Sequence, residues 1–151
     1  IDGGAGFDTV DFSGVDASIT VDLGSGVFGI GDGAAASNAI AGIESLIATE
    51  FDDTLEGGSG SQTLEGGAGN DVLSGGGGLD TFVYRLGDGA DEITDFANDR
   101  IDFSSYVGVS SISNLTITDT ADGALVSTVA GDSILLRGVT ASDIDEDAFV
   151  F

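Results

Sequence analysis

The sequence predicts an all-β chain: a parallel β-roll with two short strands per 18-residue coil, capped by antiparallel C-terminal strands. Three observations predict it. Cut every nine residues, positions 48–83 read ATEFDDTLE, GGSGSQTLE, GGAGNDVLS and GGGGLDTFV, with Leu55, Leu64, Leu73 and Phe82 recurring at that interval. Most blocks open on glycine, which accepts left-handed backbone and close approach, and each ends on three residues with one apolar side chain facing inward. Two blocks make one coil with turns on opposite edges, so block n stacks on block n+2. The chain of 151 residues has no proline, which suits a ladder that uses nearly every N–H. Residues 115–137 alternate and are broken by Asp122-Gly123 and Gly131-Asp132, the pattern of antiparallel strands joined by tight turns.

Taken in order, Gly3-Gly4-Ala5-Gly6-Phe7-Asp8 with Thr9-Val10-Asp11 is a good block. No partner precedes it at the coil spacing, so Asp8 is expected to hold a half-site at the N-terminal end. Ile1-Asp2 reads as the tail of an earlier block, as if the chain continued a longer array. Residues 12–47 leave the strict repeat as an irregular insertion. Ala17–Leu23 alternates like a half-buried strand, Val27–Ile30 returns as a second one, and Gly31–Asn38 is a small polar loop. Leu46, nine before Leu55, fills the first rung. Gly29–Ala34 weakly echoes a dinucleotide fingerprint, but no helix pattern follows it, as that reading requires.

The stacking rule pairs Asp53 with Asp71 on one edge and Gln62 with Asp80 on the other. A hard cation such as Ca²⁺ takes about six to eight oxygens from carboxylates and carbonyls. The expected ligand set is therefore Asp53, Asp71 and Asp80 with the turn residues Gly57, Gly66, Gly67, Ala68, Gly69, Gly75, Gly76, Gly77 and Gly78. The Gln62–Asp80 site is expected to be weaker or empty, since an amide oxygen carries no charge. A Gly-rich linker without metal would not keep an apolar residue at a fixed period.

The block Gly66–Ser74 fits the nonapeptide G-G-x-G-x-D-x-U-x, with U apolar. Here the chain resembles the RTX calcium-binding modules of proteins exported by bacterial type I secretion. The resemblance is most specific over 3–11 and 48–83. It implies several bound Ca²⁺ ions and an extracellular location. Gly42-Ile43-Glu44 before Leu46 is similar to the segment that often precedes such repeats. Gly87–Phe96 and Asn98–Phe103 resemble the closing segment of serralysin-like and related exported proteins. That likeness implies Asp91, Asp95, Asp99 and Asp102 as ligands of a last site, against a bland reading of solvated turns and a salt bridge to Arg100. Asp143, Asp145, Glu146 and Asp147 before Phe149-Val150-Phe151 resemble the uncleaved type I signal, which implies the secretion machinery as a partner. A last strand packing its two phenylalanines on the roll is the structural alternative, and both can hold.

The net charge is −24, from 27 acidic residues against three arginines and no lysine or histidine. Such a chain repels nucleic acid and anionic membranes, and no apolar run is long enough to span a bilayer. The same repulsion opposes the compact state, so folding should depend on cations. Extracellular sites bind Ca²⁺ with Kd on the order of 10⁻⁴–10⁻³ M. At a few millimolar each site contributes roughly 1–2 kcal/mol, and essentially nothing at submicromolar levels.

Absence of histidine and cysteine removes the Ser-His-Asp triad, the Cys-His pair and His-ligated zinc. A carboxylate dyad needs a sugar cleft, and the chain has no tryptophan and two tyrosines to line one. The expectation is a non-catalytic module, 1–103 forming the roll and 104–151 a β cap carrying the export signal. Two other readings stay open. One is a carbohydrate-binding module like those attached to alginate epimerases, which three arginines serve poorly against a polyanion. The other is an adhesive tile that self-associates through calcium.

Overall fold

The computed structural model describes residues 1–31 and 37–151. Most of the predicted loop 31–38, and the second half of the dinucleotide-like stretch, lie outside the described residues. The strands are β1 (Thr9–Asp11), β2 (Ile19–Asp22), β3 (Val27–Ile30), β4 (Asn38–Ala39), β5 (Ser45–Ile47), β6 (Thr54–Glu56), β7 (Thr63–Glu65), β8 (Val72–Ser74), β9 (Thr81–Val83), β10 (Ala90–Ile93), β11 (Arg100–Asp102), β12 (Thr116–Asp119), β13 (Gly123–Ser127), β14 (Ser133–Arg137) and β15 (Phe149–Val150). Short 3-10 turns at Ile112–Asn114, Ala141–Asp143 and Glu146–Ala148 are the remaining regular elements among the described residues. No described helix is long and apolar enough to cross a membrane.

The strands form two facing sheets, as the nine-residue period predicts. One is ordered β1-β5-β7-β9-β11-β15 and is parallel throughout. The other is ordered β12-β13-β14-β10-β8-β6-β2-β3-β4, parallel from β14 to β2 and antiparallel at both ends. In an ideal coil the chain alternates between sheets, so each strand lies beside the one two blocks earlier. The middle residue of each three-residue strand points inward, and this builds two apolar ladders. Leu46, Leu64, Phe82, Ile101 and Phe149 are in register on one sheet, and Val21, Leu55, Leu73, Ile93 and Leu136 on the other. All of these side chains are buried, and fully burying one of this size stabilises by roughly 1.5–3 kcal/mol.

Residues 12–43 contribute to the roll as well as leaving it. β2 supplies a rung, pairing in parallel with β6, and β3 and β4 then extend that sheet as antiparallel strands. At the other end β12, β13 and β14 form the expected antiparallel cap. Two features go beyond the alternation pattern: β14 pairs in parallel with β10, and β15 with β11. An aromatic group fills this end, with Phe103 5.7 Å from both Tyr84 and Tyr106 and 6.0 Å from Phe149.

Candidate metal centre

The turns stack along the two edges of the roll and carry two columns of polar side chains. On the first edge the column runs Asp53, Asp71, Asp91, all buried. Each carboxylate reaches back one coil to a backbone amide. The Ile19 N–H donates to Asp53 Oδ1 at 2.6 Å, the Asp53 N–H to Asp71 Oδ1 at 2.8 Å, and the Asp71 N–H to Asp91 Oδ1 at 2.9 Å. Block 48–56 lacks the opening glycines, and Thr49 serves in their place: its N–H donates to Asp53 Oδ2 at 2.7 Å and its hydroxyl at 2.9 Å. Asp71 Oδ2 is buried and has no hydrogen-bond partner.

On the second edge the column runs Asp8, Glu44, Gln62, Asp80, Asp99. The Gln62 N–H donates to Asp80 Oδ1 at 2.7 Å and the Asp80 N–H to Asp99 Oδ1 at 2.9 Å. Gln62 turns its own amide oxygen onto the Gly58 N–H at 3.1 Å. Asp8 is next to Glu44, whose Oε2 accepts from the Asp8 N–H at 2.9 Å. Asp8 thus has a neighbour on its downstream side, and its Oδ2 is buried without a partner.

The glycines let these columns form. At Gly67 the backbone has φ +90°, and an added methyl would overlap the Thr49 carbonyl oxygen of the stacked turn. At Gly66 an added methyl would overlap the Asp71 carboxylate, which folds back over its own turn. Ala68 and Gly69 complete that turn. Gly75, Gly76, Gly77 and Gly78 form the equivalent one on the other edge, where the Gly77 N–H donates to the Gly58 carbonyl at 2.8 Å. Gly57 packs against Gly75 in the same stack.

Electrostatically the first column is unbalanced. Burial pushes the Asp71 carboxyl up to about 8, overriding the Asp53 N–H that favours its charged form, and repulsion from Asp91, Asp53 and Asp88 adds to the rise. Burial likewise raises Asp91 and Asp88 to about 7, and raises Asp53 and Asp80. Among the described residues the ion pairs are Arg85–Glu65 and Arg137–Glu92, neither in a column, and Arg100 makes neither. Buried carboxylates without a counter-charge are costly unless a proton or a cation supplies one. Among the described residues no three acidic side chains converge on one point. Paired carboxylates in stacked turns leave the other oxygens to backbone carbonyls, a donor set that fits Ca²⁺, which accepts mixed carboxylate and carbonyl ligation.

The other sequence-predicted residues divide. Asp91 and Asp99 end the two columns. Asp95 pins a turn, accepting from the Gly75 N–H at 2.9 Å, the Gly76 N–H at 2.8 Å and the Ser74 hydroxyl at 2.7 Å. Asp102 accepts from the Ser104 N–H at 2.7 Å in a local turn and joins neither column. Sequence reasoning missed Glu44, Thr49 and Asp88. Glu44 precedes Leu46 as Asp53 precedes Leu55, by two residues, and that offset was a usable signal.

No curated protein matches the chain. Among solved structures it is similar to the AlgE6R3 subunit of the Azotobacter vinelandii mannuronan C5-epimerase, solved in solution, at 28% identity, covering 68% of this chain and 79% of that one, with a TM-score of 0.37. The family described as RTX calcium-binding nonapeptide repeat (4 copies) matches residues 39–61, 47–82 and 56–93. The matched stretch contains the turns that carry Asp53, Gln62, Asp71, Asp80 and Asp91, so residues 39–93 match RTX calcium-binding nonapeptide repeats and lie in a parallel β-roll.

Proposed function

We propose that the chain is the calcium-dependent folding module of an exported protein. The observation that carries this reading is the first-edge column: three buried aspartates in consecutive coils, one with an orphaned oxygen, in a chain of net charge −24. Asp53 with Asp71, and Asp71 with Asp91, would hold ions on that edge together with carbonyls of Gly66–Gly69. Asp80 with Asp99 would do so on the other edge with carbonyls of Gly75–Gly78, while the Gln62–Asp80 pair is the weaker position. Bound Ca²⁺ supplies the positive charge that the buried carboxylates lack. Asp8, Asp95 and Asp102 are secondary candidates. The module is read as non-catalytic.

Millimolar affinity makes the module a compartment sensor. The columns stay repulsive at submicromolar cytosolic Ca²⁺, and the carboxylates become compatible with burial outside the cell. The acidic segment from Asp143 to Asp147 and the terminal Phe149-Val150-Phe151 would be read by the type I machinery in the unfolded chain. Phe149 and Phe151, 6.0 and 6.4 Å from Phe103, then become part of the aromatic end.

The test is a far-UV circular dichroism titration with Ca²⁺ from excess chelator, with Mg²⁺ as control. A cooperative gain of β signal near millimolar Ca²⁺ supports the reading. A spectrum fully folded in chelator removes the folding switch.

A further inference from the structure

The first-edge column stops at Asp91, yet the stacking of turns does not. The turn ahead of β14, residues 128–133, lies directly on the turn ahead of β10, residues 85–90, with Ser133 beside Ala90 and the Ser133 N–H donating to the Gly89 carbonyl at 2.9 Å. This junction is as acidic as those before it, with Asp88 and Asp91 on one turn and Asp132 on the other. Repetition alone would place another cation here.

The contacts at the junction are instead made by neutral donors. The Tyr84 hydroxyl lies 2.8 Å from the Gly89 carbonyl oxygen and 2.9 Å from the Ser133 carbonyl oxygen, one from each of the two stacked turns, so its single proton is shared between them. The Tyr106 hydroxyl donates to Asp132 Oδ2 at 2.5 Å and lies 2.8 Å from the Thr128 hydroxyl. The Gly87 N–H donates to the same Asp132 oxygen at 3.0 Å. These are the chain's two tyrosines. Their rings stack at 6.4 Å with planes 6° apart, and both hydroxyls serve this one junction.

We propose that Tyr84 terminates the calcium column: its hydroxyl, bridging carbonyls of two stacked turns, occupies the position that an ion holds between the turns upstream. A phenol serves there because it is a donor on a rigid ring anchored in the aromatic end of the roll, and its proton, shared by the two carbonyl oxygens, is in place at any calcium concentration. Tyr106 fixes the companion carboxylate, Asp132, in the same way. This proposal rests on the calcium reading above.

The experiment counts Ca²⁺ ions per chain by equilibrium dialysis in the parent, Tyr84→Phe and Asp132→Asn, with circular dichroism confirming the fold at millimolar Ca²⁺. Asp132→Asn should bind as many ions as the parent, because no ion uses Asp132. Loss of one ion in that variant overturns the proposal. Tyr84→Phe frees the Gly89 and Ser133 carbonyls and should bind one ion more than the parent. A folded Tyr84→Phe with an unchanged count also overturns it. If Tyr84→Phe does not fold, the Asp132→Asn count decides. A parent that binds no Ca²⁺ removes the calcium reading and this proposal with it, whereas a parent that binds and variants that deviate remove this proposal alone.

Discussion

Replacing Asp71 by Asn should act with opposite sign on the two states of the roll. Asn keeps the shape and a carbonyl oxygen for the Asp53 N–H, but removes the charge. Burial raises the Asp71 carboxyl from 3.8 to about 8, so at pH 7 the ion-free fold must take up a proton that the unfolded chain does not hold. Over the roughly three pH units involved, at about 1.4 kcal/mol each, this opposes folding by about 4 kcal/mol, or about half that if the turns relax around the charge. Domains of this size are stable by about 5–15 kcal/mol, so the burden of this one side chain is large. D71N should therefore hold more β structure in chelator than the parent, and need at least tenfold more Ca²⁺ to reach its folded plateau, because Asp71 is shared by two proposed sites. The assay is circular dichroism, read as the β signal in chelator without denaturant and as a urea unfolding midpoint in several millimolar Ca²⁺. If D71N shows no more β signal than the parent in chelator and is merely destabilised in Ca²⁺, Asp71 is an ordinary buried hydrogen-bonding group and the electrostatic reasoning fails.

Acidification should favour folding of the ion-free chain: Asp71, Asp88 and Asp91 have folded values near 8, 7 and 7, so protons are taken up on folding and the β signal in chelator should rise as pH falls from about 8 toward 4. With Ca²⁺ present the trend should reverse as protons compete for the same oxygens; a flat profile in chelator would refute the first part. Leu64→Ala removes a fully buried rung and should destabilise the calcium-loaded roll by about 2–5 kcal/mol, read as the urea midpoint in millimolar Ca²⁺; an unchanged midpoint would contradict a core that runs through the rungs. Gln62→Asp places a carboxylate between Glu44 and Asp80, and should raise the bound-ion count; an unchanged count would show that this turn takes no ion.

Much of this fold is written in a local rule. Leu55, Leu64, Leu73 and Phe82 sit where a nine-residue period puts them, and Asp53 with Asp71, and Gln62 with Asp80, stack as the coil length requires. The rule fails where the coil length changes. Asp8 meets Glu44 rather than a residue one coil away, because the chain makes a long excursion through β2, β3 and β4 before returning. Asp71 meets Asp91 across a coil two residues longer than the period, the extra length lying in the turn that holds Tyr84 and Asp88. The strand Ser133–Arg137 was visible from alternation, but its parallel partner β10 was not, since alternation reports a buried face and says nothing about the neighbour on the hydrogen-bonded edge. Asp102 shares a motif with Asp99 but closes β11, where its carboxylate accepts from the Ser104 N–H in a local turn.

In both columns the carboxylate belongs to the later coil and the amide it accepts from belongs to the earlier one. This gives the roll a grammatical direction: each coil is a clause left open until the next arrives. Shortening the array from the front merely returns a carboxylate to water, which solvates it well. Shortening it from the back leaves the amide of each column's last turn without its carboxylate and turned to water. Two deletions of equal length at opposite ends are thus not equivalent: one end presents carboxylates and the other presents amide donors, so whatever finishes the roll at its C-terminal end has to bring an acceptor.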